Sequence, residues 1–177
     1  MAKVTRHISL VFLPFILFFA LVCNVFAADN HNARSIKEVK DFSEIAEISG
    51  EKRLPLVLMF SSEYCTYCVR VESDFLIPMQ ISGDYEQRAI IRKMKIDFGN
   101  TVRDFDGKQV DADEFAARYN ISVTPTVVFL DRHGSQLAPK RVGLMTPDFY
   151  GGYLDESIDI ALDMLRRNKP LRITLSD

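Results

Sequence analysis

Two cysteines carry the most specific chemistry in this chain. They stand in Cys65-Thr66-Tyr67-Cys68, a C-x-x-C, and Cys23 is the only other cysteine. The motif lies between a continuous apolar run, Leu54 to Phe60, and a helical pattern through Val69, Val71, Phe75 and Leu76. A cysteine at the start of a helix faces free N–H groups and the positive end of the helix dipole, and both stabilise an anion. Cys65 is therefore expected to have a lowered pKa and to act as the nucleophile. Cys68 lies one turn on, on the same face and deeper, placed to attack a mixed disulfide and release the substrate. Two other uses of the pair stand beside this one. A zinc site needs two further ligands, and beyond residue 27 the histidines are His31 and His133. A purely structural disulfide between i and i+3 closes too small a loop to stabilise much. No metal and no other cofactor is expected.

The elements around the motif set its compartment and its scaffold. The chain has 177 residues, 47% hydrophobic and 26% charged, with 8 Gly and 7 Pro. That composition fits one globular domain and excludes disordered, collagen-like and repeat architectures. A formal charge of −2 gives no sign of nucleic-acid binding. Lys3, Arg6 and His7 precede an almost wholly apolar run from Ile8 to Val22, which ends at Val25-Phe26-Ala27. This order reads as a secretory signal peptide cut after Ala27. The alternative is an uncleaved membrane anchor, since the run is near the lower limit for crossing a bilayer. A lipoprotein reading centred on Cys23 is weakened by bulky Leu21 and Val22. Removing residues 1–27 leaves 20 Lys and Arg against 24 Asp and Glu, with Cys65 and Cys68 as the only thiols. The mature protein is then expected in the periplasm or otherwise outside the cytosol, where disulfides persist. Residues 28–34 read as a flexible lead-in, 35–168 as the folded domain and 169–177 as a C-terminal tail.

Within the domain, Ile36, Val39, Phe42, Ile45, Ala46 and Ile48 recur at mostly helical spacing, predicting a helix from Ser35 to Ile48 stopped by Gly50. Leu54 to Phe60 predicts a central strand buried on both faces, with Pro55 tolerated only near its start. The helix after Cys65 is predicted to stop at Pro78. Ala89 to Ile96 reads as a strand, Phe98 to Val110 as a loop or short hairpin, and Asp111 to Tyr119 as a helix. Thr126 to Leu130 and Leu137 to Val142 form an antiparallel pair around a turn at Arg132-His133-Gly134. Pro147 opens a last helix to about Arg167, kinked near its start by Gly151-Gly152. The order supports an α/β fold with a central mixed sheet flanked by helices. Phe42, Phe60, Phe75, Phe115 and Phe129 are expected in the core. Asp104, Asp106, Asp111 and Asp113 lack a calcium-loop spacing and read as a solvated loop.

The sequence resembles thioredoxin-fold proteins, and most closely secreted thioredoxin-related proteins akin to the catalytic domains of bacterial disulfide isomerases. The resemblance covers roughly Val39 to Arg167. It is carried by Leu56-Val57-Leu58-Met59-Phe60 running into Cys65-Thr66-Tyr67-Cys68, and by Tyr119-Asn120-Ile121-Ser122-Val123-Thr124-Pro125-Thr126. Val127 to Gly134, and Arg141-Val142-Gly143-Leu144 ahead of the last helix, complete it. It implies a thioredoxin fold, a redox-active Cys65–Cys68 disulfide, and a cis Thr124–Pro125 bond against the dithiol. It casts Thr124, Pro125, Tyr64 and Tyr67 as substrate-binding residues, with the backbone at Thr124 open to a passing peptide strand. The chain also departs from the family. Tyr64 stands where thioredoxins carry Trp, and Met59 where they bury an Asp. Proton-transfer aid to Cys68 is then missing or comes from elsewhere.

These departures bear on direction. A strongly oxidising dithiol needs a thiol pKa of about 3.5 rather than about 7. Thr66 and Tyr67 carry no positive charge, and Glu63 and Glu72 add negative charge that should raise the Cys65 pKa. A disulfide reductase or moderate exchanger is therefore expected, with a net thiol oxidase or isomerase as the alternative. A non-enzymatic thioredoxin-fold chaperone or metal-binding module, holding for example Cu(I) on two thiolates, is the rival of another class. Without room for a dimerisation domain, a monomer is expected. The partners are protein thiols and disulfides. The resemblance adds a membrane-embedded thiol electron carrier as the electron source.

Overall fold

The computed structural model describes residues 35–167. The expected signal peptide, the lead-in and the tail lie outside the described residues. In chain order the elements are α1 (Phe42–Lys52), β1 (Leu56–Ser61), α2 (Thr66–Val71), a π-helical turn (Glu72–Leu76), α3 (Ile77–Ile81), β2 (Ile90–Lys95), β3 (Thr101–Arg103), β4 (Gln109–Asp111), α4 (Ala112–Ala117), β5 (Thr126–Leu130), β6 (Gln136–Val142) and α5 (Pro147–Arg167).

Every residue of β1 is buried, which requires packing on both of its faces. The strand sits inside a sheet of order β2-β1-β5-β6. It pairs in parallel with β2 and antiparallel with β5, and β5 pairs antiparallel with β6. Alternation along β1 sends Leu56, Leu58 and Phe60 to one face, and Val57 and Met59 to the other. The first face packs Phe42 and Phe115, whose ring centroids are 4.4 Å apart, with Phe105 and Tyr119 beside them. The second is mainly aliphatic: Val71 and Leu76 from the segment after the motif, and Leu154, Ile158 and Ala161 from α5. No helix among the described residues is long and apolar enough to cross a membrane.

Several local expectations are corrected. Ser35 to Asp41 is not helical. Lys37 and Val39 bond across to Lys93 of β2, so this segment extends the sheet edge. Ile36 packs in the aliphatic cluster and Val39 in the aromatic one. An odd separation in an extended chain places two residues on opposite faces, and it imitated a helical i, i+3 repeat. Helix α1 begins after Asp41, whose carboxylate accepts the Ser43 N–H at 2.9 Å. Gly50 lies inside α1, and the stop comes at left-handed Arg53, whose N–H bonds back to Ser49.

Pro78 does not end the helix after Cys65. The preceding turn widens to the π form, with the Ile77 N–H reaching Glu72 O, and Pro78 then sits in the first turn of α3. A first-turn proline gives up a donor that would be unpaired anyway. Helix α5 runs through Gly151 and Gly152. Residues 98–110 include the β3–β4 hairpin. Asp104 there is not solvated: it is 8% exposed, and its carboxylate accepts from Arg118 at 2.7 Å. Phe75, expected in the core, is only partly buried.

Candidate active site

Cys65 is the N-cap of α2, with extended backbone at φ −96° and ψ 94°. Its Sγ accepts the Cys68 N–H at 3.1 Å, and its carbonyl accepts from Cys68 and Val69 at 3.1 and 3.2 Å. The first turn of a helix has N–H groups without intrahelical partners. One of them is aimed at this sulfur, and it would stabilise a thiolate there once the bond is reduced. Cys65 and Cys68 are joined by a disulfide, with a Cα–Cα distance of 5.2 Å. Cys65 is half-buried, whereas Cys68 is 4% exposed. The two sulfurs therefore differ in access, and the outer one is open to attack.

The second component is the segment before β5. The Thr124–Pro125 peptide bond is cis. Ser62 and Thr124 share a hydroxyl–hydroxyl hydrogen bond of 3.1 Å, which brings this segment to the loop leading into Cys65. Thr126 Oγ1 donates to Val123 O at 2.8 Å, and the Gly143 N–H donates to Pro125 O at 2.8 Å. Pro125 is buried and Thr124 half-buried. Tyr64 and Tyr67 are 94% and 59% exposed. Their rings present apolar surface beside the cysteines and are free to contact a second chain.

A sequence model of the thioredoxin-like domain family matches residues 42–157, which take in the dithiol and the Thr124–Pro125 segment. The chain belongs to the thioredoxin-like domain family. It is 24% identical over 102 residues to the disulfide bond reductase DsbH of Chlamydia pneumoniae, covering 56% of this chain and 59% of that protein. This thioredoxin-like chain thus spans about three-fifths of the length of that curated relative. Among solved structures, a poplar thioredoxin h mutant is 19% identical, with 81% of this chain and 95% of that one covered and a TM-score of 0.48. Oxidised mitochondrial thioredoxin 3 of Saccharomyces cerevisiae is 19% identical, with 68% and 94% covered and a TM-score of 0.45. A DsbH oxidoreductase is 18% identical, with 78% and 92% covered and a TM-score of 0.44.

Other residues of this thioredoxin-like domain were not legible as part of the site. The Glu63 N–H donates to both Asp97 oxygens, at 3.0 and 3.1 Å, tying the loop before Cys65 to the end of β2. Asp97 follows a strand parallel to β1, and loops after adjacent parallel strands meet at one edge of the sheet. That pairing was the available signal. Glu72 does not add an uncompensated negative charge. Its carboxylate accepts from Lys93 Nζ at 2.7 and 2.8 Å and from the Ile36 N–H at 2.8 Å. Met59, at the strand position where the resemblance implied a buried Asp, lies opposite Lys93 in the β1–β2 register.

Among the described residues no group of three or more His, Cys, Asp or Glu is placed to hold a metal ion. His133 is exposed in the turn after β5, and His31 lies outside the described residues. Two phenols flank the sheet, Tyr150 buried and Tyr119 partly buried. Burial pushes Tyr119 and Tyr150 up to about 12 from the ordinary 10.0.

Proposed function

We propose that this chain is a thiol:disulfide oxidoreductase working in the reducing direction. The observation that carries the reading is the placement of Cys65: half-exposed, capping α2, with a backbone N–H directed at its sulfur and its partner sulfur buried behind it. In the reduced enzyme, Cys65 thiolate attacks one sulfur of a substrate disulfide, and the other substrate sulfur leaves as a thiolate. Cys68 then loses its proton and attacks the Cys65 sulfur, releasing the second substrate thiol. The enzyme is left oxidised, with two electrons passed to the substrate. Thr124 and Pro125 present a backbone edge to the incoming peptide by strand addition. Tyr64 and Tyr67 cover its side chains.

The Chlamydia relative is a disulfide bond reductase, which agrees with this direction. The folded unit is residues 35–168, working as a monomer outside the cytosol after loss of residues 1–27. Its oxidised form is reduced again by a membrane-embedded thiol carrier.

The test is turnover of a protein disulfide. With dithiothreitol as electron source, the chain should accelerate insulin reduction, Cys68→Ser should accumulate a mixed disulfide on Cys65, and Cys65→Ser should do neither. Full activity in Cys65→Ser would overturn the assignment. Tight metal retention by the dithiol without turnover would mark a binding module instead.

A further inference from the structure

Backbone pairing between β1 and β5 ends at Phe60 and Thr126. Carried one step further, the same register sets Ser61 against Pro125, which has no N–H to donate. A second step sets Ser62 against Thr124. There a side-chain bond takes over from the backbone ladder, with the two hydroxyls 3.1 Å apart. Ser and Thr placed opposite one another across a sheet stabilise it in this way. Among the described residues the Thr124 N–H and C=O take no hydrogen-bond partner, so the side chain is held while the backbone stays open. Open backbone groups of this kind are what an added strand pairs with. The loop after Ser62 is held from the opposite side, where the Glu63 N–H donates to the Asp97 carboxylate. Cys65 is then fixed as the N-cap of α2. Among the described residues, the Ser62–Thr124 bond is the one side-chain hydrogen bond joining the cysteine loop to the segment before β5.

We propose that Ser62 is a positioning residue for peptide substrates. Its hydroxyl holds the Thr124 edge in place relative to Cys65, so that the chain favours disulfides carried on an extended peptide over small disulfides that have no backbone. The inference rests on reading Thr124 as the edge that receives the substrate. Thr124 is β-branched, so its side chain has few allowed rotamers, and one hydroxyl bond selects among them. A peptide strand must meet the Thr124 N–H and C=O together while its own disulfide lies at Cys65. An edge already held there loses less freedom on binding, and that saving appears as affinity. A small disulfide makes no use of the edge and gains nothing from the bond. A bond that only shaped the loop would instead act on both kinds of substrate alike.

The test mixes the reduced full chain with excess disulfide and follows its oxidation against disulfide concentration. One substrate is a pair of extended peptides joined by a disulfide, and the other is hydroxyethyl disulfide. The quantity read is the ratio of their second-order rate constants. Ser62→Ala should lower that ratio by about 2- to 10-fold, the worth of one side-chain hydrogen bond. The loss should lie in the half-saturating concentration of the peptide and not in its limiting rate. An unmoved ratio, or a loss carried by the limiting rate, would overturn the proposal. Breaking the bond from its other end keeps the test open should one variant fail to fold. Thr124→Val should lower the ratio as Ser62→Ala does, and the double variant no further, because the second substitution removes a bond already broken. Losses that multiply in the double variant would also overturn it. The wild type separates the two readings. No oxidation by the peptide sinks the reductase and this proposal with it, whereas oxidation with an unmoved ratio in the variants sinks only the role of Ser62.

Discussion

The two faces of the sheet are packed by different means. On one, the rings of Phe42, Phe60, Phe105, Phe115 and Tyr119 pack together, stacked or tilted, with centroid separations of 4.4–6.3 Å. On the other, aliphatic side chains surround the helix that carries the cysteines, and the Glu72–Lys93 ion pair lies among them. Among the described residues the aromatic face has no cysteine. Its one deep carboxylate among them, Asp104, is held by Arg118. The contrast separates a face that holds the fold from a face that holds the chemistry. Buried rings contribute large areas at low entropic cost, while a buried ion pair contributes little net stability.

The largest expected effect tests that division. Phe115→Ala should cost about 3–5 kcal/mol, and Leu76→Ala about 2–5 kcal/mol, in denaturant unfolding. Only Leu76→Ala, which loosens the wall of the dithiol helix, should also move the reduction potential. An equal movement in Phe115→Ala would break the comparison.

A smaller effect comes from two phenols, one on each face: buried Tyr150 and partly buried Tyr119. Tyr119 donates to Gly134 O at 3.0 Å, whereas the Tyr150 hydroxyl has no partner among the described residues. Tyr119→Phe should cost about 0.5–1.5 kcal/mol. Tyr150→Phe should be neutral or stabilising, because it removes a buried hydroxyl without a bond. A loss in Tyr150→Phe as large as in Tyr119→Phe would contradict the difference.

The same phenols give a pH dependence. Both titrate near 12 in the fold against 10.0 when unperturbed. A folded pKa raised above the unfolded one gives stability that is whole below the unfolded value and lost as pH rises through the folded one. Unfolding midpoints should therefore fall between pH 10 and 12. Tyr119→Phe and Tyr150→Phe should each flatten that fall, and an unchanged slope in the double variant would contradict it.

Much of the chemistry-bearing face was legible because it is local. The apolar run Leu56 to Phe60, the C-x-x-C after it and Thr124-Pro125 before another apolar run each declare themselves within a few residues. What was not legible depends on register. Ile36 and Val39 looked helical because an edge segment serving both faces repeats apolar residues at an odd spacing. The partner of Glu72 follows from β2 pairing in parallel with β1 so that Lys93 stands beside Met59, which periodicity alone does not fix. Pro78 misled for a related reason: the π-helical turn before it removes the need to stop.

The most direct test of the central claim is the equilibrium reduction potential of Cys65–Cys68 in defined glutathione buffers. A value near about −270 mV is expected for a dithiol that donates electrons. A value near about −120 mV would contradict it and make the same two cysteines an oxidant.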